Sequence, residues 1–528
     1  MPPEFRRSEI SKANGFSNWL INQGLNIDSG RLLVMYHFLF LFLLVFVESR
    51  AVETHLTTSV FEKLAEVPDG WTTARHPDPF ESIRLHIALE DRTGLLDFLE
   101  QTLLNVSSPG HECYGQHIKR DTLTAVFQST RQTAAPVAEW LQEAGIMDIR
   151  YQNGLLSFRC SIRDAEELLH TSFMQYRNKV RGSIITRTLQ YSVPQRIKHL
   201  VRMIQPTTYF GPGVRRVASD HSIWTSRRDV HPLRTHESDV CHETVNPTCL
   251  KDLYNIRYDA DPNNGNKVAL ASFLGEEARH EDFELFNAHN APYAKNHNFS
   301  TVQINSSGDT VCGNCSWEAN MDIQYLGAIS YPVPLVEYRV RGAGESIPDL
   351  DHLAGGGSHN EPWIEFLQYM LALPENELPQ TLSISYGDNE QSVPVSYAKT
   401  VCSMFGQLGA RGVSILVASG DGGVGSACQT NDGLKRTHFT PHFPASCPWV
   451  TAVGGTEMVM PEQAMNRSQG GFSDVFTRPA YQDAAVSKYL EGLGNRWKGL
   501  FNPEGRGFPD VAAQMHYYQI FDKNVEKM

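Results

Sequence analysis

Residues 413–423 read VSILVASGDGG, an apolar run that stops at Ser419-Gly420 and leaves Asp421 between glycines. A short apolar run bounded by turn residues is a buried strand with a tight turn at its carboxyl end. Working outward, apolar residues at helical spacing over 395–408 precede it and WVTAVGG (449–455) follows it. The alternation continues upstream through KVALASFLG (267–275), a helix near Glu276 to Asn290, FSTVQIN (299–305) and a helix from about Ser316 to Ile329. PLVEYRV (334–340), the helix WIEFLQYMLAL (363–373) and TLSISYG (381–387) complete it. Strands alternating with helices pair in parallel and carry helices on both faces, so the predicted class is α/β, a doubly wound, mainly parallel sheet. In such sheets the active site lies at the carboxyl ends of the strands.

Further upstream the pattern differs. IRLHIALE from Ile83 alternates as a strand, and Leu95, Leu96, Phe98, Leu99, Leu103 and Leu104 recur at helical spacing. A helix over Ala135 to Ala144 precedes IMDIRYQNGLLSFRCS, a hairpin turning at Asn153-Gly154. Ser161, with Asp164 three residues on, caps the helix RDAEELLHTSF, and TLQYSVP closes with strand character. This order predicts an α+β domain over 55–210. Residues 211–244 are basic and irregular, with Arg215-Arg216 and Arg227-Arg228, and read as an exposed linker open to processing.

The 528 residues are too many for one compact core. A net charge of -13 leaves no excess of Lys and Arg to neutralise phosphates, which argues against a nucleic-acid partner. The apolar run Leu32–Val47 is only sixteen residues long and is followed by Ser49 and Ala51. Residues 1–51 therefore read as an N-terminal extension with a cleaved secretion signal, which leaves no stable membrane association; a signal anchor is the alternative. Asn-x-Ser triplets at Asn105, Asn298, Asn305, Asn314 and Asn466 fit a secreted glycoprotein, and the nine cysteines fit a disulfide-bonded one.

Three features could carry chemistry. Glu318 and Asp322, at i and i+4 on one predicted helix, project from the same face and can titrate as a pair. Taken alone the spacing is weak, since roughly six or seven such acid pairs are expected by chance and most are solvated. Asp421 lies at the end of a predicted strand, where Asp and Gly also serve plain turns. Ser385-Tyr386-Gly387 ends another strand and could pair with an extended peptide by strand addition. Cys312-Gly-Asn-Cys315 has no second ligand pair at finger spacing and reads as disulfide chemistry, and no HExxH occurs. Gly355–Gly357 lacks the Lys-Ser/Thr of a phosphate loop.

In this order the three features resemble the sedolisin family of serine-carboxyl peptidases, which includes fungal-type tripeptidyl peptidases. HNEPWIEFLQYML, WVTAVGGTE, GGFSDVF, RPAYQ and GRGFPDVAAQ extend the resemblance, and CLKDLYNIRY resembles the start of the mature enzyme. YGQHIKR through RDAEELL resembles the family's activation propeptide. The resemblance implies a ferredoxin-like propeptide over 55–210 and a subtilisin-like catalytic domain over 245–528. It implies Glu318 as general base, Asp322 as the carboxylate that orients it, and Asp421 as the oxyanion-hole acid. A carboxylate base works where a histidine would be protonated, and Asp421 donates only when protonated, so acidic conditions are expected. The implied partners are peptide or protein substrates and the chain's own propeptide as inhibitor and chaperone. The implied state is a secreted monomer, or one held in a vacuole-like or lysosome-like compartment. The family's nucleophile lies in Gly-Thr-Ser-x-Ser, and no Gly-Thr-Ser occurs in these 528 residues. The expectation is a catalytic domain without its C-terminal part, lacking the nucleophilic serine and the family's calcium site. A truncated relative that binds peptides or a peptidase without turnover is the alternative, and a secreted binding protein with a merely superficial acid pair is a third.

Overall fold

The structure is a computed structural model that describes residues 57–68, 70–90, 94–128, 131–179, 182–210, 244–305, 315–347, 349, 360–459 and 461–527. The apolar run Leu32–Val47, the arginine pairs of the linker, Cys312 and Gly355–Gly357 lie outside the described residues. Residues 57–59 and 194–198 group separately, joined where the Gln195 amide donates to the Thr57 carbonyl (3.0 Å). All other described residues form one compact unit.

The N-terminal part of that unit is built on four antiparallel strands: β1 (Ser82–Leu89), β2 (Ile149–Gln152), β3 (Leu155–Ser161) and β4 (Val201–Gln205), in the order β2-β3-β1-β4. Asn153 (φ 52°) and Gly154 (φ 83°) make the two-residue turn between β2 and β3, both in the left-handed region that a hairpin of this length requires. The helices are α1 (Leu95–Ser107), α2 (Arg120–Gln128), α3 (Arg131–Glu143) and α4 (Ile162–Leu169). The Ser161 side chain accepts the Asp164 amide (3.2 Å) at the start of α4, as its sequence position predicts.

The remaining elements are β5 (Val268–Ser272), α5 (His280–Asn290), β6 (Phe299–Ile304), α6 (Trp317–Ser330), β7 (Leu335–Val340), α7 (Trp363–Ala372), β8 (Thr381–Ile384), α8 (Val395–Ala410), β9 (Ser414–Ala418), β10 (Thr451–Glu457), β11 (Gln463–Ala464) and β12 (Val511–Gln514). Their sheet has the order β6-β7-β5-β8-β9-β10-β11, and β12 also pairs with β10. Every pairing is parallel except β10 with β11, which gives the predicted mainly parallel α/β sheet. β5 is buried at every position, consistent with helices covering both faces, and β8 at alternate ones.

One apolar core joins the two parts: Leu99, Leu123, Phe127 and Met203 pack with Phe273, Trp363, Phe366 and Phe405. α1 lies on α8 where glycines leave room for leucines. A Cβ at Gly406 would meet Leu99 Cδ2 at 2.9 Å, and one at Gly409 would meet Leu103 Cδ2 at 3.0 Å. The Ile118 amide donates to the Ala410 carbonyl (2.8 Å) and the Arg120 amide to Glu375 Oε1 (2.6 Å), so polar contacts flank the apolar ones. Among the described residues no helix is long and apolar enough to cross a membrane.

Candidate active site

α6 carries the acid pair, and its rotation is fixed from the opposite side. Ser316 donates to Asp522 Oδ1 (2.5 Å), Asn320 Nδ2 to Asp282 Oδ2 (3.0 Å), and Gln324 Nε2 to the Phe521 carbonyl (2.7 Å). These residues, four apart, form one stripe of the helix held by a hairpin of β13 (Ile520–Asp522) and β14 (Val525–Lys527). Glu318 and Asp322 form a separate stripe and keep part of their surface exposed.

The helix start lacks a side-chain cap from Ser316. The first-turn amides of Glu318 and Ala319 instead donate to the carboxylate of Glu276, which lies in the turn after β5. The predicted helix near Glu276 begins at His280, and that later start leaves Glu276 free for this task. A carboxylate there satisfies amides that the helix cannot pair internally and is favoured by the helix dipole. One Glu276 oxygen is buried without a hydrogen bond.

Glu276, Glu318 and Asp322 act on one another electrostatically. Burial, then Asp322, Asp421 and Glu276, raises the Glu318 pKa well above the carboxylate range. Burial is also the main cause that pushes Asp322 up to about 7, with the Ser385 hydroxyl pulling down and Glu276 pushing up. Glu276 is pushed up to about 7, again chiefly by burial. The pair therefore retains at least one proton through the acidic range.

β8 makes its last pairing at Ile384 with Val417, and Ser385–Gly387 run on past it. The Ser385 hydroxyl serves Asp322. Tyr386 packs its ring edge-on to Phe273 (5.3 Å between centroids), and its buried hydroxyl faces the Phe273 main chain with its own proton undonated. Burial raises its pKa, and Glu318, Glu276 and Asp322 raise it further, so the hydroxyl lies close to the acids. A Cβ at Gly387 would lie 2.4 Å from the Phe443 carbonyl oxygen and 2.5 Å from His442 Cε1, a space only glycine fits. β9 ends at Ala418, and Gly420 (φ 104°) turns the chain so that Asp421 is exposed yet close enough to influence Glu318. All six residues singled out in the sequence thus belong to one neighbourhood at the strand ends, with Ser385 and Tyr386 directing their side chains to the acids.

Residues 69–210 match the family model "Pro-kumamolisin, activation domain". Tripeptidyl-peptidase SED2 of Arthroderma otae is 40% identical over 468 residues, 88% of this chain and 78% of that protein. Probable tripeptidyl-peptidase SED3 of Arthroderma benhamiae is 41% identical over 470 residues, with the same shares covered. This chain belongs to the sedolisin family. Among solved structures, Pseudomonas sedolisin, described as a serine-carboxyl proteinase, is 19% identical over 54% of this chain and 75% of that one, with a TM-score of 0.38. By family this sedolisin is a serine-type peptidase, and its N-terminal part is an activation domain with an intramolecular inhibitor role.

The activation domain of this sedolisin meets the peptidase domain across a cavity of about 240 Å³. Arg84, Arg159 and Arg187 line it from one side, and Glu345 and Glu365 from the other. Glu276 and His442 are the site neighbours that sequence reasoning missed. His442 packs its ring against Gly420 as well as Gly387, and its pKa is lowered by burial, against the influence of Asp388 and Asp421. The one local signal for Glu276 is its place just after an apolar strand, the same topological position as Asp421. No serine among the described residues donates to Glu318, and among them no group of three or more His, Cys, Asp or Glu side chains could hold a metal ion.

Proposed function

We propose that this sedolisin is a secreted, acid-acting serine-carboxyl peptidase that removes tripeptides from peptide substrates, as the names of its relatives suggest. The observation that carries the reading is the meeting of the Glu318–Asp322 pair with Asp421 beside the free strand end Ser385–Gly387. Substrate would extend along that strand end. Glu318 takes the proton of a serine hydroxyl as its oxygen bonds to the scissile carbonyl carbon, while Asp322 holds the proton the pair shares. The oxyanion then accepts a hydrogen bond from protonated Asp421. As the C–N bond breaks, Glu318 passes its proton to the leaving amine, and water reverses the sequence to free the acid. The 16-residue apolar run and the Asn-x-Ser triplets support secretion. By the family resemblance the serine belongs to a Gly-Thr-Ser segment, and a relative that binds peptides without turnover is the second reading.

Transcripts read across the codon for Met528 separate the two. A Gly-Thr-Ser-x-Ser within a short distance supports the enzyme, and a verified stop supports the binding protein. In a serine-bearing product, hydrolysis at acidic pH should vanish in Glu318→Gln; undiminished turnover would overturn the assigned base.

A further inference from the structure

Asp421 has a second support 48 residues downstream. Gln469 is 3% exposed and lies just ahead of the strand Gly471–Thr477. Its main-chain amide donates to the Gly420 carbonyl (2.9 Å), and its side-chain Oε1 accepts the Gly422 amide (3.2 Å). Its Nε2 donates to the Thr440 carbonyl (3.0 Å). The residues immediately before and after Asp421 are thus both bonded to one side-chain-bearing position. Two more bonds, Gly470 amide to Gly423 carbonyl and Gly423 amide to Arg467 carbonyl, each 3.0 Å, continue the clamp.

The fit is close. A Cβ at Gly420 would lie 2.4 Å from Gln469 Oε1, and one at Gly422 would lie 3.1 Å from it, so the clamp depends on both glycines. The site requires an acceptor for Gly422 and a donor for Thr440, and a primary amide supplies both without charge. A carboxylate would present like charge to Asp421 and an unfavourable contact to the Thr440 carbonyl.

We infer that Gln469 is a positioning residue for Asp421, resting on the oxyanion role proposed above. It fixes the turn from which Asp421 donates, and by accepting the Gly422 amide it removes that donor from the oxyanion site. Transition-state stabilisation then depends on the Asp421 proton rather than on a neighbouring backbone N–H.

The test uses the full chain with Gln469→Leu and Gln469→Glu. Hydrogen exchange of the segment holding Gly422 should accelerate in the Leu variant while the sheet strands stay protected. The carboxyl titration of Asp421, followed by carbon-13 NMR and assigned through Asp421→Asn, should move up by roughly half a unit to one unit in the Glu variant. In a hydrolysing form, kcat should fall by about tenfold to a hundredfold in the Leu variant with KM nearly unchanged. The Glu variant should recover part of kcat and move its alkaline limb upward. Unchanged exchange at Gly422, or an Asp421 titration indifferent to Glu at this position, overturns the inference. If the wild-type chain hydrolyses nothing, the peptidase reading fails, and the exchange and titration results still decide the clamp. Should the Leu variant fail to fold, the Glu variant decides alone.

Discussion

Glu345 gives the clearest quantitative prediction. Only 6% of its surface is exposed, and one carboxyl oxygen is buried without a hydrogen bond. Burial pushes its pKa from 4.5 up to about 8, against the pull of Arg187 and with further upward pushes from Glu62 and Glu365. The folded chain therefore holds a proton that the unfolded chain has released over that interval. Stability from this group is fully present below 4.5 and is lost as pH rises to about 8. The loss runs at about 1.4 kcal/mol per pH unit and reaches roughly 3 kcal/mol by neutral pH. Glu345→Gln keeps the neutral shape and removes the titration. Urea unfolding should show wild type and variant nearly equal in stability at about pH 4, and the variant more stable by roughly 3 kcal/mol at about pH 7. A difference that does not change with pH would refute the reasoning, and a less stable variant at neutral pH would mean that Arg187 holds Glu345 ionised.

Three further outcomes follow from the same structure. Under the proposed oxyanion role, Asp421→Asn in a hydrolysing form keeps a donor at every pH, so the alkaline limb of kcat should disappear; a pH–rate profile with that limb intact would assign it elsewhere. Leu99→Ala empties the seat over Gly406 and should cost about 2–5 kcal/mol of unfolding free energy, whereas a cost under about 1 kcal/mol would mean that α1 is not anchored there. Replacing both Cys402 and Cys447 by Ala opens a crosslink across 45 residues and should cost about 4 kcal/mol by the loop-entropy argument, read as a lower denaturation midpoint in urea.

The elements were legible where local chemistry decides them. Asn153-Gly154 could supply two left-handed residues, and Ser161 could cap a helix, without reference to the rest of the chain. The alternation of apolar strands with helices gave the parallel sheet, but its order is set by packing that no short window contains. The same limit separates the site residues. Glu318 and Asp322 share one helix and announce themselves by spacing. Glu276 meets that helix only through its first-turn amides and leaves no trace but its place after an apolar strand, and Gln469 meets Gly422 across 47 positions and leaves none. Tyr386 reads as a strand-end residue open to substrate, yet its large ring is drawn into the core against Phe273, and its hydroxyl is carried to the acids. α2 went unread because its few apolar residues, Leu123 and Phe127 among them, are buried against a distant core rather than arranged in a long local stripe.

The proposed mechanism asks three carboxyl groups to be in different states at one pH. Asp421 must carry a proton to donate, and its exposed turn leaves it open to solvent. Glu318 must accept one, although burial and its acidic neighbours favour its protonated form. The conflict is resolved if the proton shared by the pair sits on Asp322, since a monoanionic pair then has its free charge at Glu318. Ser385 works against this by donating to Asp322, which stabilises the charge on the orienting acid instead. Two donors can restore the balance: a serine hydroxyl at Glu318, and the buried Tyr386 hydroxyl, which lies close to the same acids and, while accepting from the Phe273 main chain, keeps its own proton to donate. The same proposal gives Tyr386 an electrostatic task beyond packing. Tyr386→Phe should leave the ring contact with Phe273 in place and move the acid limb of the pH–rate profile upward, because Glu318 then ionises less readily. An acid limb that stays where it is would confine Tyr386 to the core.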